Sequence, residues 1–519
     1  MTDIALNTSS GAQSNFDRLL RYAVPGAIFL HVLIWTLLPS FLLHNASLDM
    51  IEGLAWGREW QLGYEKDPPL FAWLIEIGAA ISGKNLWFAY LEAQLCIATV
   101  FFAIWRLARM MVSEVEALVA VLLLEGVYYV NFPTPEFNDI ILQKPFAALF
   151  VWLLYRALRD DRLGDWAFAG LAAAGGLYAR YSMGAYIIPL AAFIAFHPLA
   201  RQRLSSIGPW LCGAVATLAF LPHLYWIVQS HFISILYVGD RAEAVSGLVG
   251  IVEGALTFIA SQVLALLPAI VISVVLWRWR DPAKRIAFDF VSFDKAYITF
   301  AALGPVVTSL LISFASGHKL RSMWGAPLWC SITLFAVMMI RPVLTEERLR
   351  RFGWMWLTAL VLPALMFVQV QLTGAHITKR EKRTHFPGTE LAQEVTAHWH
   401  DVSGAPLRYV VGDTWLAGNV AFYSPDRPSV FTFADARLSP WIDETDLRRS
   451  GGVLIWNAKQ EGKAIPVWLA AKYPRAVVEP AVNLPGDVSV HCLGWALLPP
   501  DPDADISTSA DHPAPLNGG

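Results

Sequence analysis

Four polar stretches interrupt an otherwise apolar chain, and their residue types suit chemistry on a phosphate-bearing ligand. Asp49 and Glu52 precede Tyr64, Lys66 and Asp67, which run into Pro68 and Pro69. Glu136 and Asp139 follow in a second acidic connection, with Lys144 just inside the next apolar run. Arg180 and Tyr181 break a Gly/Ala-rich run, and His318, Lys319 and Arg321 stand ahead of Trp324 and Pro327. Ionisable groups at or near a membrane span are expensive, so they usually face a cavity or a partner. Lys66, Lys319, Arg321 and Arg180 could hold phosphate oxygens and stabilise a leaving phosphate. A carboxylate such as Asp49 could orient or deprotonate an acceptor. Structural roles compete with these: Lys144 reaching to lipid headgroups, Lys319 and Arg321 anchoring at the interface, and Asp139 capping the helix that follows. A divalent cation is compatible with the acids, and nothing in the sequence requires one.

The elements that must position these residues are membrane helices. Hydrophobic residues make up 56% and charged residues 16% of the 519 positions. Soluble chains carry about 25% charge, so the composition points to a bilayer. Runs long enough to span, or nearly span, a membrane fall near 22–44, 86–106, 114–131, 140–158, 165–179, 182–198, 208–230, 253–277, 296–315, 322–340 and 353–373, about eleven spans. The connections alternate in basic charge. One set holds Arg18/Arg21, Arg106/Arg109, Arg156/Arg159/Arg162, Arg201/Arg203, Arg278/Arg280/Lys284/Arg285 and Arg341/Arg348/Arg350/Arg351, whereas the other holds basic residues singly or in pairs. Positive charge inside then puts the N-terminus in the cytoplasm and all four reactive stretches outside it. On a helix, Asp49, Glu52, Trp56 and Glu59 share one face, opposite Met50, Ile51, Leu54, Ala55 and Leu62. This predicts an amphipathic helix able to rest on the membrane surface. The Asp-Pro-Pro then ends that element and starts the next.

The domain reading follows. Residues 1–21 form a cytoplasmic N-terminal segment, and 22–373 a transmembrane domain whose first outer loop spans 45–85. From 374 to 498 the pattern changes to short runs (Leu407 to Val411, Ser429 to Phe433, Gly452 to Trp456, Val488 to Leu493) with a helical stretch from Thr389 to His400. That predicts a small α/β domain outside the cytoplasm, ending in a disordered tail over 499–519. Four scattered cysteines suggest neither disulfides nor a metal site, and no basic block suits nucleic acid.

The motifs resemble those of the GT-C membrane glycosyltransferases of the protein-mannosyltransferase superfamily, in particular the aminoarabinose transferases of lipid A and the rhizobial galacturonosyltransferases. The resemblance covers roughly 20–370 and rests on four features. These are an acidic residue soon after the first span, the box Gly63-Tyr-Glu-Lys-Asp-Pro-Pro-Leu70 running into Phe71-Ala-Trp-Leu, the acidic second loop, and Lys-x-x-x-x-Trp-x-x-Pro from Lys319 to Pro327. It implies one-step, inverting transfer of a sugar from a polyprenyl phosphate to lipid A, core saccharide or another envelope lipid, at the outer face of a bacterial inner membrane. It also implies a first-loop aspartate at the site, here Asp49, and a loop-box lysine, here Lys66. Two departures stand out: Asp49 is followed by Met50 where the family has an Asp-Glu pair, and Asp67 adds an acid to the box. The alternatives are a flippase for lipid-linked saccharide, a protein O-glycosyltransferase and an inactive envelope scaffold.

Overall fold

The computed structural model describes residues 3–241, 247–280 and 289–501. Most of the tail expected over 499–519 lies outside the described residues, as do Lys284 and Arg285 of the charge argument. The chain divides into two units. One holds Met1–Leu42 and Gln61–Thr373; the other holds Leu43–Trp60 together with the chain from Gly374. The first outer loop is therefore split near Trp60, and its acidic half groups with the C-terminal part.

The first unit is helical. In chain order it holds α1 (Asp3–Leu42), α3 (Leu70–Ser82), α4 (Trp87–Met111), α5 (Glu114–Leu122), α6 (Asp139–Asp160), α7 (Leu163–Ala179), α8 (Gly184–Phe196), α9 (Pro198–Arg201), α10 (Gly208–Gln229), α11 (Ile233–Arg241), α12 (Gly247–Ala265), α13 (Leu267–Arg278), α14 (Phe293–Ser316), α15 (Ile332–Ile340) and α16 (Glu346–Thr378). Helix α2 (Leu48–Gly57) belongs to the second unit. Among the described residues seven helices are long and apolar enough to cross a membrane, or nine if two bent pairs each count as one span. Proline accounts for much of the difference from eleven uniform spans. The run over 253–277 breaks between α12 and α13, where Pro268 takes a first-turn position. Tyr181–Phe196 meets Pro198–Ser205 at 87°, and Ser322–Trp329, with Pro327 inside it, meets α15 at 59°. The run over 114–131 is helical only to Leu122 and continues as 3₁₀ turns.

Small residues let these helices approach closely, the usual device where lipid supplies no hydrophobic drive. Gly170 of α7 lies against the Cys212 carbonyl of α10, and Gly176 faces Met183. Ile97, Val100 and Ile104 of α4, Ala147 and Val151 of α6 and Ala169 of α7 lie in one buried core.

The second unit is an α/β layer structure. Its sheet has the order β2-β1-β3-β6-β4, with β5 also on β6. The strands are β1 (Tyr409–Gly412), β2 (Ser429–Thr432), β3 (Gly452–Asn457), β4 (Val477–Val478), β5 (Val482–Pro485) and β6 (Val490–Leu498). Strand β1 is parallel to β2 and β3, and β6 is antiparallel to β3. Alternation along the strands feeds two cores. Val410, Val430, Val453 and Ile455 face α17 (Gly388–Ser403) and α18 (Thr414–Tyr423). Val411, Phe431, Leu454 and Trp456 face α19 (Glu444–Ser450) and α21 (Val467–Lys472), and the short α20 is Ala458–Glu461.

Helix α2 is bound into this unit. The His44 and Asn45 amides donate to the Thr384 carbonyl at 3.0 and 2.9 Å, and the Ala46 amide donates to the Tyr423 hydroxyl at 3.0 Å. Gly418 of α18 has no Cβ where Ile51 approaches, and Ala55 joins the α17–α18 core. This corrects the expectation of a surface-resting amphipathic helix. Ile51 lies against α18 and Ala55 enters the α17–α18 core, so the apolar side of the helix is covered inside its own unit. The helix also ends at Gly57, leaving Glu59 in the turn beyond it.

Candidate active site

The loop box is a compact turn stitched by its own backbone. The Tyr64 amide donates to the Asp67 carbonyl at 3.1 Å, and the buried Tyr64 hydroxyl accepts from the Gln61 amide at 3.2 Å. Trp73 Nε1 donates to the Gln61 carbonyl at 3.0 Å. Gly63 must be glycine on steric grounds, because a Cβ there would collide with the Trp226 ring of α10. Pro68 and Pro69 are buried, and α3 starts at Leu70 with Pro69 in the capping position. The effect is to fix Glu65, Lys66 and Asp67 on a short, stiff segment.

Asp139 and Arg180 reach the same place because α6 and α7 form a helical hairpin. Asp139 opens α6 and Arg180 follows the last residue of α7, so both lie at one end of the pair. A carboxylate suits a helix N-terminus and a cation suits a C-terminus. Arg180 Nη1 donates to Asp139 Oδ2 and lies 3.9 Å from Asp67 Oδ1. Lys66 Nζ lies 3.8 Å from Glu65 Oε1 and 5.7 Å from the centre of the Tyr237 ring. Three carboxylates, Glu65, Asp67 and Asp139, thus stand with two cations, Lys66 and Arg180. Arg180, engaged by two acids, is an oriented fork more than an open phosphate site, though a guanidinium has donors to spare.

The capping role considered for Asp139 falls to its neighbour, since Asn138 accepts the Ile141 amide. Lys144 does not reach to the headgroups. It is fully buried and donates to the Tyr129 carbonyl at 2.5 Å, which holds the second acidic connection against α6.

Beside the ion cluster lies a network that sequence reading missed. The Tyr181 hydroxyl is 2.8 Å from His223 Nε2 and 2.7 Å from Ser234 Oγ, while His223 Nδ1 is 2.6 Å from the Leu62 carbonyl. Ser182 donates to Gln143 of α6 at 2.7 Å. The available signal was a histidine in the middle of an apolar helix, which has to find a partner. Among the described residues no three His, Cys, Asp or Glu side chains gather at a spacing that could hold a metal.

The remaining candidates stand elsewhere. Lys319 and Arg321 precede the 3₁₀ segment Ser322–Trp329, and the Lys319 stem lies against Gly254 of α12. Tyr129 and Gln262 both donate to the Ser322 carbonyl, at 3.1 and 3.0 Å, which holds this segment in place. Among the described residues no ion pair joins Lys319 or Arg321 to the Asp67–Arg180–Asp139 group. Arg321 Nε is nonetheless buried without a hydrogen-bond partner. Glu136 is exposed, whereas Asp139 is buried. Asp49 and Glu52 are carried by α2 in the other unit.

Comparison with known proteins bears on what such a scaffold does. Residues 66–226, from the box lysine to α10, match the family described as dolichyl-phosphate-mannose-protein mannosyltransferase. The lipopolysaccharide core galacturonosyltransferase RgtB of Rhizobium johnstonii is 24% identical over 461 residues, which is 85% of this chain and 89% of that protein. The lipid A galacturonosyltransferase RgtD of the same organism is 24% identical over 36% of this chain and 40% of its own. The crystal structure of ArnT from Cupriavidus metallidurans bound to undecaprenyl phosphate superposes with a TM-score of 0.61 at 11% identity, covering 91% of this chain and 97% of that one. Its apo form gives the same score.

The chain is a membrane glycosyltransferase with a GT-C fold. The resemblance read from the loop box holds, together with the largely helical architecture and the small C-terminal α/β region. The protein is multi-pass and integral to the membrane.

Proposed function

We propose that this glycosyltransferase moves a sugar from a polyprenyl-phosphate donor to lipid A, lipopolysaccharide core or another envelope lipid, at the periplasmic face of the inner membrane and with inversion. The observation that carries the reading is the group Lys66, Asp67, Asp139 and Arg180, gathered at one end of the α6–α7 pair. The lipopolysaccharide acceptors in the names of RgtB and RgtD, and the lipid phosphate in the ArnT complex, support the choice of substrates.

In this reaction an acceptor oxygen attacks the anomeric carbon as its bond to the phosphate oxygen breaks. The acceptor loses a proton, and the departing polyprenyl phosphate gains a negative charge. The phosphate is assigned to Lys66, with Lys319 and Arg321 as the further cations that the family motif supplies. Arg180, held by its two carboxylates, orients the sugar or the phosphate edge through its remaining N–H groups. Asp49 is assigned as the general base on the family motif alone; for a phosphate acceptor it would position and not deprotonate. Glu52 and Glu136 are supporting acids in this scheme. The protein-mannosyltransferase description of the matching family favours a second reading, in which the acceptor is a protein hydroxyl.

The deciding experiment is transfer of labelled sugar from polyprenyl phosphate in membranes carrying wild type, Asp49→Asn or Lys66→Ala, with lipid A, core, other lipid and protein fractions counted separately. Loss of transfer in both folded variants supports the reading, and the labelled fraction names the acceptor. Undiminished transfer in either removes that residue from the site.

A further inference from the structure

The C-terminal sheet has a feature that the transfer chemistry leaves unused. From β1 the chain passes through α18 to β2 on one side, then returns through α19 to β3 on the other side of β1. Strand order reverses about β1, and open α/β sheets bind ligands in the crevice outside the carboxyl ends at such a point. Asp413 directly follows β1 and caps α18, accepting the Trp415 and Leu416 amides at 2.8 and 3.0 Å. Phe433 directly follows β2, its amide donating to the Gly412 carbonyl at 2.8 Å. Helix α20, after β3, brings Glu461 to the same edge.

Two aromatic rings stand here. Phe433 is 53% exposed. It and Ala434 have φ of 49° and 54°, the left-handed region that side chains other than glycine rarely adopt. Trp468 of α21 lies 6.2 Å from the Phe433 ring, and its Nε1 donates to Glu461 Oε2 at 3.0 Å. Backbone held against preference to present an exposed ring marks a binding surface more than a packing one.

The chemistry selects the ligand class. Asp413, Asp435 and Glu461 disfavour a phosphate, and the Gly412-Asp413-Thr414 turn is not a glycine-rich phosphate cradle. Of the nearby cations, Lys472 is held by the Ala434 carbonyl and Glu444 and Arg437 by Asp435, while the Arg383 guanidinium lies 5.7 Å over the Trp415 ring. An aromatic face beside carboxylate acceptors suits a sugar, whose C–H face is apolar and whose rim is hydroxyl donors. We propose that the carboxyl edge of β1, β2 and β3, with Phe433, Trp468, Glu461 and Asp413, is a saccharide subsite for the sugar part of the acceptor. It rests on the acceptor proposed above being a glycolipid.

The test is calorimetric titration of the full-length protein in nanodiscs with delipidated, dephosphorylated core oligosaccharide. Phe433→Gly removes the ring while suiting the backbone, so loss of binding is not loss of fold, and Trp468→Ala is its companion. Each is expected to weaken oligosaccharide binding by about tenfold and to raise the acceptor KM with kcat within twofold. No binding by wild type, unchanged affinity in both variants, or preferential binding of a peptide would overturn the proposal. Because binding is read without turnover, absence of transfer sinks the functional reading and not this one. Transfer without oligosaccharide binding sinks only this one.

Discussion

At the scale of single residues, the site is a matter of which charges neutralise which. Arg180 is shared by Asp139 and Asp67, so its fork geometry matters as well as its charge. Arg180→Lys keeps the charge and loses the second acceptor, and is expected to lower transfer at least tenfold with protein levels near wild type, checked by labelled-sugar assay against immunoblot. Asp49→Asn, if Asp49 is the base for a hydroxyl acceptor, should cost about 10²–10⁴ in rate, read as kcat at saturating donor. A fall below tenfold would leave it a positioning role. The types of these residues and their order were legible in sequence. Their pairing was not, because α3, α4 and α5 lie between Asp67 and Asp139, and α6 and α7 lead on to Arg180, so that packing alone brings the three together. The Tyr181–His223–Ser234 network was missed for the same reason: each partner comes from a different element.

At the scale of elements, glycines mark where the scaffold has no room. Gly63 is backed by the Trp226 ring, so Gly63→Ala overpacks the box. Overpacking typically costs about 1–3 kcal/mol, and the variant should show a lowered Tm in detergent together with reduced transfer, by differential scanning of purified protein. Helix α2 offers a parallel case in the other unit, where Gly418→Val would displace Ile51 and loosen the helix that carries Asp49. A further element-level contact is Glu381, whose carboxylate accepts the Asp487, Val488 and Ser489 amides at the tip of the β5–β6 hairpin, at 3.1, 2.9 and 2.6 Å. Burial raises its pKa, but these bonds outweigh burial and hold the group below its ordinary value of 4.5. The folded value lies below the unfolded one, so the stabilisation is complete above pH 4.5 and fades as the pH falls past it. Glu381→Gln should therefore narrow the difference in C-terminal-unit stability between pH 6 and pH 4, followed by near-UV circular dichroism. Four of the strands, β1, β2, β3 and β6, fall on short runs legible in the sequence, since such patterns are local, whereas β4 and β5 do not. The burial of α2 did not, since an amphipathic face carries no label for what will cover it.

At the scale of the molecule, the basic connections alternate with the poor ones along the whole chain, and this sets an expected orientation. A phosphatase that is active only in the periplasm, fused after residue 501, should be active, and a reporter that fluoresces only in the cytosol should be dark there. The reverse pattern would place the site on the wrong side for an exported lipid phosphate. The sequence alone determined the class of this protein. Hydropathy, charge alternation and the Gly-Tyr-x-x-x-Pro-Pro-Leu box are one-dimensional signals, set by the thickness of the bilayer and by local turn chemistry. Only the tertiary structure decided that the first loop divides at Trp60, with Asp49 in one unit and Lys66 in the other, and that Asp139 faces Arg180. It also decided that the strand order reverses about β1. These depend on contacts between residues far apart in the chain, which no local periodicity encodes.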